Sequence, residues 1–277
     1  MLENMVMDIC GADIFSSIFE TLSINLFSSS DKFAPVLTII RTIQNSITTV
    51  SVMMMFIYFL VALVDKCSSE NFSWEQLWRQ LAMLLATKYL MEHGFELMET
   101  LFNIGMAVTA DVNNASGIDI AQTSMDAAAL VEAFKQSLNL PKICQILYLD
   151  NIIVFCQLLL PWAGAWIMRL AVSIICYSRV IEIYMRAAMA PIALSDFFHS
   201  GLQGSGWRSL KSFFAVSLQG AVILIIAIIY SKLFESLTLD ESAGLFSYLG
   251  TFLVIYASSV MLMFKSLSLT KELVGVA

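Results

Sequence analysis

Arg179, Glu182 and Arg186 sit in YSRVIEIYMRAAMAPIAL (residues 177–194), within one of the most apolar runs of a 277-residue chain. An ionisable group inside a bilayer costs at least about 2.5–3.5 kcal/mol unless it snorkels, pairs or reaches water, so three together require a reason. On a helix Glu182 lies at about 300° and Arg186 at about 340° from Arg179, which confines the trio to one sector of roughly 60°. Glu182 can pair with either arginine, leaving one positive charge for another partner. A second set, Lys88, Glu92, Glu96, Glu99 and Asn103, recurs at spacings of four, four, three and four. It falls within roughly 80° of arc and can face a bundle interior or a wet cavity. Its acids are candidate partners for the arginine left over, and such a pairing would lock two helices in register. The competing account has Arg179 and Arg186 snorkelling to headgroups at the end of their span.

Catalysis finds little support. The chain has no GxxxxGK[ST], HExxH or GxSxG, and its only histidines are His93 and His199. Asp196 and His199 share a helical face and could act as an acid–base pair, but no nucleophile, base and orienter come together. The glycines at 201, 204 and 206 lack the Lys-Ser/Thr of a phosphate loop and read as a turn. Cys10, Cys67, Cys144, Cys156 and Cys176 contain no CxxC and read as small hydrophobes. The expectation is a protein that is not an enzyme and takes no cofactor and no metal.

The elements that must position the charges are membrane helices. Apolar residues make up 58% of the chain and charged residues 13%, with a mean hydropathy of +0.79. Soluble domains have about 45–50% and about 25%. Several apolar runs approach the length of about 20 residues needed to cross a hydrocarbon layer of ~30 Å. The short alternating segments of a β-barrel are absent. The fold class is all-α: a polytopic transmembrane helical bundle of about five spans with an N-terminal amphipathic helix. The net charge of −7 and the lack of a Lys/Arg cluster argue against tight standalone binding of nucleic acid. The acidic N-terminus MLENMVMDIC does not resemble a cleaved signal peptide.

Residues 1–43 form a first segment in which Ile14, Ile18, Leu22 and Leu26 make an apolar stripe, suited to the membrane interface or to packing on the bundle. The first two membrane helices fall in 44–110. Pro35 can start a helix, and Gln44 to Val64 carries no charge. In FSWEQL, Ser73 caps a helix opening at Trp74, which runs to about Ala110. Residues 111–145 are a polar loop containing a short amphipathic helix from Thr123 and ending at Pro141.

The last segment, 146–277, holds the remaining membrane helices, a glycine-rich loop and the C-terminus. The apolar stretch 143–198 reads as one long, kinked span, with a hairpin near PWAG (161–164) as the alternative that would give six spans. Pro191 is expected to break that helix. After the loop come spans containing 213–230, where Gln219 and the Ser217/Ala221 pair favour close contacts, and 247–264. Five spans place Lys66, Arg79, Arg179, Arg186, Arg208, Lys211, Lys265 and Lys271 on one side, against Lys32, Arg41, Lys135, Lys142 and Lys232 on the other. The positive-inside rule then puts the C-terminus in the cytoplasm and 111–145 outside.

SRVIEIYMRAAMAPIALSDFF, a glycine-containing loop and GWRSLKSFFAVSLQGAVILIIAIIY together resemble the TrbL-like inner-membrane subunits of type IV secretion and conjugation machines, particularly the short forms of Gram-positive conjugative elements. The resemblance rests on R-x-x-E-I (Arg179, Glu182, Ile183), A-P-I (Ala190, Pro191, Ile192) and L-Q-G (Leu218, Gln219, Gly220), within a texture covering about residues 40–270. It implies a multi-pass cytoplasmic-membrane channel or platform subunit with a cytoplasmic C-terminus. It also implies a homo-oligomer, a pentamer being one form, in contact with other secretion subunits, the ATPases and the lipid bilayer. Such a subunit helps pass single-stranded DNA with its relaxase and touches that cargo transiently. On this reading Lys88, Glu92, Glu96, Glu99, Arg179, Glu182 and Arg186 are assembly charges, and Pro191, Gln219 and Gly220 serve helix break and packing. The alternative is a small-solute transporter whose coupled site uses Lys88, Glu92, Glu96, Arg179 and Glu182. Transporters often carry internal repeats, and SRVIEIY and API have no counterpart in the first half.

Overall fold

The computed structural model describes residues 21–28, 33–67, 74–116, 149–200, 203–235 and 245–275, and among them every regular element is a helix. These are α1 (Ala34–Cys67), α2 (Trp74–Glu92), α3 (Gly94–Ser116), α4 (Leu149–Ser195), the short α5 (Phe197–Ser200), α6 (Ser205–Glu235) and α7 (Leu245–Val274). Four stretches are long and apolar enough to cross a membrane: Ala34–Asp65, Trp162–Ser195, Ser205–Tyr230 and Leu253–Val274. The all-helical, polytopic class expected from composition is the class observed.

The stretch expected as the second span differs. A turn at His93 divides it into α2 and α3, although the His93 amide still donates to the Tyr89 carbonyl at 3.1 Å and Leu97 donates to His93 at 3.0 Å. Glycine at 94 weakens helix continuation at this point. Neither piece matches the four apolar stretches: α2 carries Glu75, Arg79, Lys88 and Glu92, and α3 carries Glu96, Glu99 and Asp111.

The long apolar stretch is one helix, so the hairpin alternative at Pro161 to Gly164 falls. Pro191 does not break α4, which continues to Ser195. Proline removes one backbone donor, and in the last turn that loss is local. Residues 111–116, expected at the start of the polar loop, continue α3, and the helix expected at 123–138 with the rest of 111–145 lies outside the described residues.

The chain divides into two compact units, Met1–Ser23 with Thr109–Tyr177 and Ala221–Ser266, and Ile24–Val108 with Ser178–Gly220 and Leu267–Ala277. In the first, Val172, Ile175 and Cys176 of α4 meet Ile223, Leu224, Ala227 and Tyr230 of α6 and Tyr256, Val260 and Met263 of α7. In the second, Met98 and Phe102 of α3, Ile183, Tyr184 and Ala187 of α4 and Phe213 and Val216 of α6 form the main core. Helix α6 supplies residues to both cores, and 61% of the residues in its most apolar stretch are buried against 11% for α1.

Leu22, Leu26 and Phe27 are buried, so the described end of the N-terminal stripe packs on protein. Phe27 meets the rings of Phe95, Phe102 and Tyr184, and the Tyr184 hydroxyl donates to the Leu26 carbonyl at 2.7 Å. Between α3 and α6 the backbones nearly touch. A Cβ on Gly105 would stand 2.8 Å from the carbonyl carbon, carbonyl oxygen and Cβ of Ser217. Where lipid is as apolar as the side chains, such close approach supplies the van der Waals contact that holds helices together.

Candidate functional site: the charged joint of α4 and α6

Arg179, one turn before Ile183 on α4, is buried with 3% of its surface exposed. Its Nε donates to the Val216 carbonyl at 3.3 Å and its Nη2 to the Ser217 carbonyl at 3.1 Å, both on α6. Those carbonyls can serve the guanidinium as well as their own helix because each oxygen has two lone pairs. The planar fork lies against Gly220, where a Cβ would come within 2.7 Å of Nη2. Glycine leaves the room that the guanidinium fills.

Arg186, seven residues on, turns to side chains. Its Nη2 and Nε donate to Glu182 Oε1 at 2.6 and 3.0 Å, and its Nη1 donates to Ser212 Oγ on α6 at 2.6 Å. Glu182 and Arg186 keep only 20% and 24% of their side-chain surface exposed, so solvent screens this charge-assisted pair less than a surface one. The trio expected on one edge of a helix is therefore on the edge facing α6. Glu182 pairs with Arg186, while Arg179 engages main-chain carbonyls. Gln219 is buried on α6 beside Gly220, and Pro191 is buried in the last turn of α4.

The other set lies differently. Lys88 Nζ is 3.6 Å from Glu92 and His93 Nδ1 is 3.0 Å from Glu96, pairs made along their own stretch of chain. Glu96 keeps 74% of its side-chain surface exposed, and Asn103 is exposed as well, so the stripe forms an outer face of α2 and α3. Glu99 is half-buried.

Asp196, read from the sequence as a possible acid–base partner of His199, binds the start of α6. Its Oδ2 accepts from the Ser205 amide at 2.7 Å and from Ser205 Oγ at 2.9 Å, which satisfies an amide that the start of α6 cannot. The His199 side chain lies outside the described residues. Asp196→Ala should cost about 1 kcal/mol, read as a lower melting temperature of the detergent-solubilised protein, and Asp196→Asn should cost less because its amide oxygen still accepts. Equal melting of the alanine variant and the parent would remove this role.

A groove of about 410 Å³ runs beside the joint, between Met54 and Tyr58 of α1, Arg186 and Met189 of α4 and Ser205 and Ser209 of α6. Among the described residues no group of three His, Cys, Asp or Glu side chains is placed to hold a metal ion. The joint ties α4 to α6 through hydrogen bonds from Arg179 to the Val216 and Ser217 carbonyls and from Arg186 to Ser212. Sequence reasoning missed Ser212 and the carbonyls of Val216 and Ser217, since a main-chain acceptor leaves no mark in residue type. It also missed Gly105, whose only signal is a small residue on an apolar helix face.

Residues 26–191, more than half of the chain, match the family model described as TrbL/VirB6 plasmid conjugal transfer like protein. No curated protein and no solved structure matches.

Proposed function

The chain belongs to the TrbL/VirB6 plasmid conjugal transfer-like family, and from that membership we propose that it is a channel or platform subunit of a type IV secretion apparatus, helping to move a single-stranded DNA–relaxase substrate. The family match carries the reading, and four helices long and apolar enough to span support a multi-pass place in the membrane. In this proposal the protein sits in the cytoplasmic membrane with a cytoplasmic C-terminus, multimerises, and meets other secretion subunits and the ATPases that supply the energy. We assign it no hydrolysis of its own.

The transporter alternative needs Lys88, Glu92, Glu96, Arg179 and Glu182 to act as one coupled site. The first three are exposed and paired locally, while Arg179 is committed to α6 carbonyls, and this favours assembly over solute coupling. The test is an in-frame deletion of the gene in donor cells, complemented by the wild-type chain or by Glu182→Ala. Deletion should abolish plasmid transfer while relaxase nicking and ATPase activity persist, and Glu182→Ala should restore transfer only in part. Undiminished transfer by the deletion strain would end the proposal.

A further inference from the structure

Helix α3 has 23 residues, a length of about 35 Å that is sufficient to cross a hydrocarbon layer. Its two sides are unlike. Taking Glu96 as origin, Thr100, Asn103, Ala107, Asp111 and Asn114 fall between about −20° and about 60°, and all six positions are exposed. Met98, Phe102, Gly105 and Thr109 fall between about 180° and about 240°, and all four are buried. Ile104 and Val108, at the border of the polar face, are exposed apolar residues.

The exposed hydroxyls of α1 show what a lipid-compatible polar side chain looks like. Thr38, Thr42 and Ser46 each donate to the carbonyl four residues back, so their donors ask nothing of the surroundings. Glu96, Asn103 and Asp111 cannot be silenced in that way, because a carboxylate or carboxamide has more polar sites than its own helix can engage. Turned to hydrocarbon, this face would carry a heavy desolvation cost.

We infer that α3 crosses the membrane as the wall of a water-filled passage, with its polar face toward water and its apolar face toward the bundle. A span of this kind fails a hydropathy criterion because one of its sides is solvated. The face has no lysine or arginine from Gly94 to Ser116, so it offers a phosphate backbone no cation and leaves the gripping of a transferred strand to other surfaces. The inference rests on the multi-pass reading and deepens the proposed conduit role.

The test is nitroxide accessibility along α3 in the full chain, held in lipid bilayers, with the native cysteines replaced and single labels at T100C, N103C, A107C, I104C and V108C. Labels at 100, 103 and 107 should relax severalfold more with a water-soluble nickel chelate than with oxygen, and labels at 104 and 108 should show the reverse preference. Nickel preference at all five places α3 in the aqueous phase and overturns the inference. Oxygen preference at all five places the face in lipid, and low access for both reagents at 100, 103 and 107 places another protein surface over it; either overturns it as well. Each variant is also scored for plasmid transfer. A failed accessibility pattern in transfer-competent protein removes the passage wall alone, whereas a dispensable gene removes the conjugation reading and leaves the pattern standing.

Discussion

Gly105→Ala should destabilise the protein by about 1–3 kcal/mol, and Gly105→Leu by more, because the added carbon meets main chain and a Cβ fixed to it. The obstacle is the Ser217 carbonyl group and Cβ at 2.8 Å, and a backbone inside a helix cannot swing aside as a side-chain tip can. The helices must part, which loosens the packing of Met98 and Phe102 against α4 and α6. The measurement is the melting temperature in detergent, with Ile104→Ala on the exposed neighbouring face as the control. Ile104 is 46% exposed, so its truncation should stay within about 0.5 kcal/mol of neutral. Wild-type melting of Gly105→Ala would show that α3 and α6 do not approach this closely.

The second large effect is a coupling. Arg179→Ala removes two charge-assisted hydrogen bonds from a buried site, each worth about 1.5–3 kcal/mol. Gly220→Ala should damage the same joint from the other side by pushing the guanidinium off its carbonyls. In the double variant the alanine at 220 enters space that the arginine has left, so its cost should largely vanish. The cycle should therefore show a coupling of about the size of the Gly220→Ala effect itself, within the range of about 0.5–3 kcal/mol found for residues in contact. Arg179→Lys should behave more like alanine than like arginine, since an ammonium has no planar fork to serve two carbonyls. Additive losses across the cycle would sink the account of the joint.

How far the sequence predicts this architecture depends on what kind of information each feature needs. The absence of charge from Gln44 to Val64 and the one-sector placement of Arg179, Glu182 and Arg186 are properties of residue type and spacing, so both could be read directly. By spacing Glu182 can partner either arginine; in the fold it pairs with Arg186, which also reaches Ser212, a neighbour only once α6 has packed. The same holds for Arg179: its acceptors are backbone oxygens that every residue possesses, so no letter announces them. The extent of α4 was legible only as a preference, because a proline can open a hairpin, start a helix or sit inside one. The bundle around it selects among these. The turn at His93 is hidden in the sequence because the periodicity of Lys88, Glu92, Glu96 and Glu99 runs through it unbroken.

The hydroxyls along α1 have a consequence for how deep that helix sits. Thr48 and Ser51 bond back on their own helix as Thr38, Thr42 and Ser46 do. To the lipid, then, such residues present mainly carbon, and the helix behaves as more greasy than its letters suggest. Its depth is left to the charges at either end. Arg41, held 4.7 Å above the Phe95 ring, and Asp65 bracket residues 42–64, a run of about 35 Å against a hydrocarbon thickness of ~30 Å. These two residues act as stops on a slide. The span can tilt modestly to bring both to the headgroups when the bilayer thins or thickens, within the limit set by Met55, which is buried against Met91, Leu194 and Phe198.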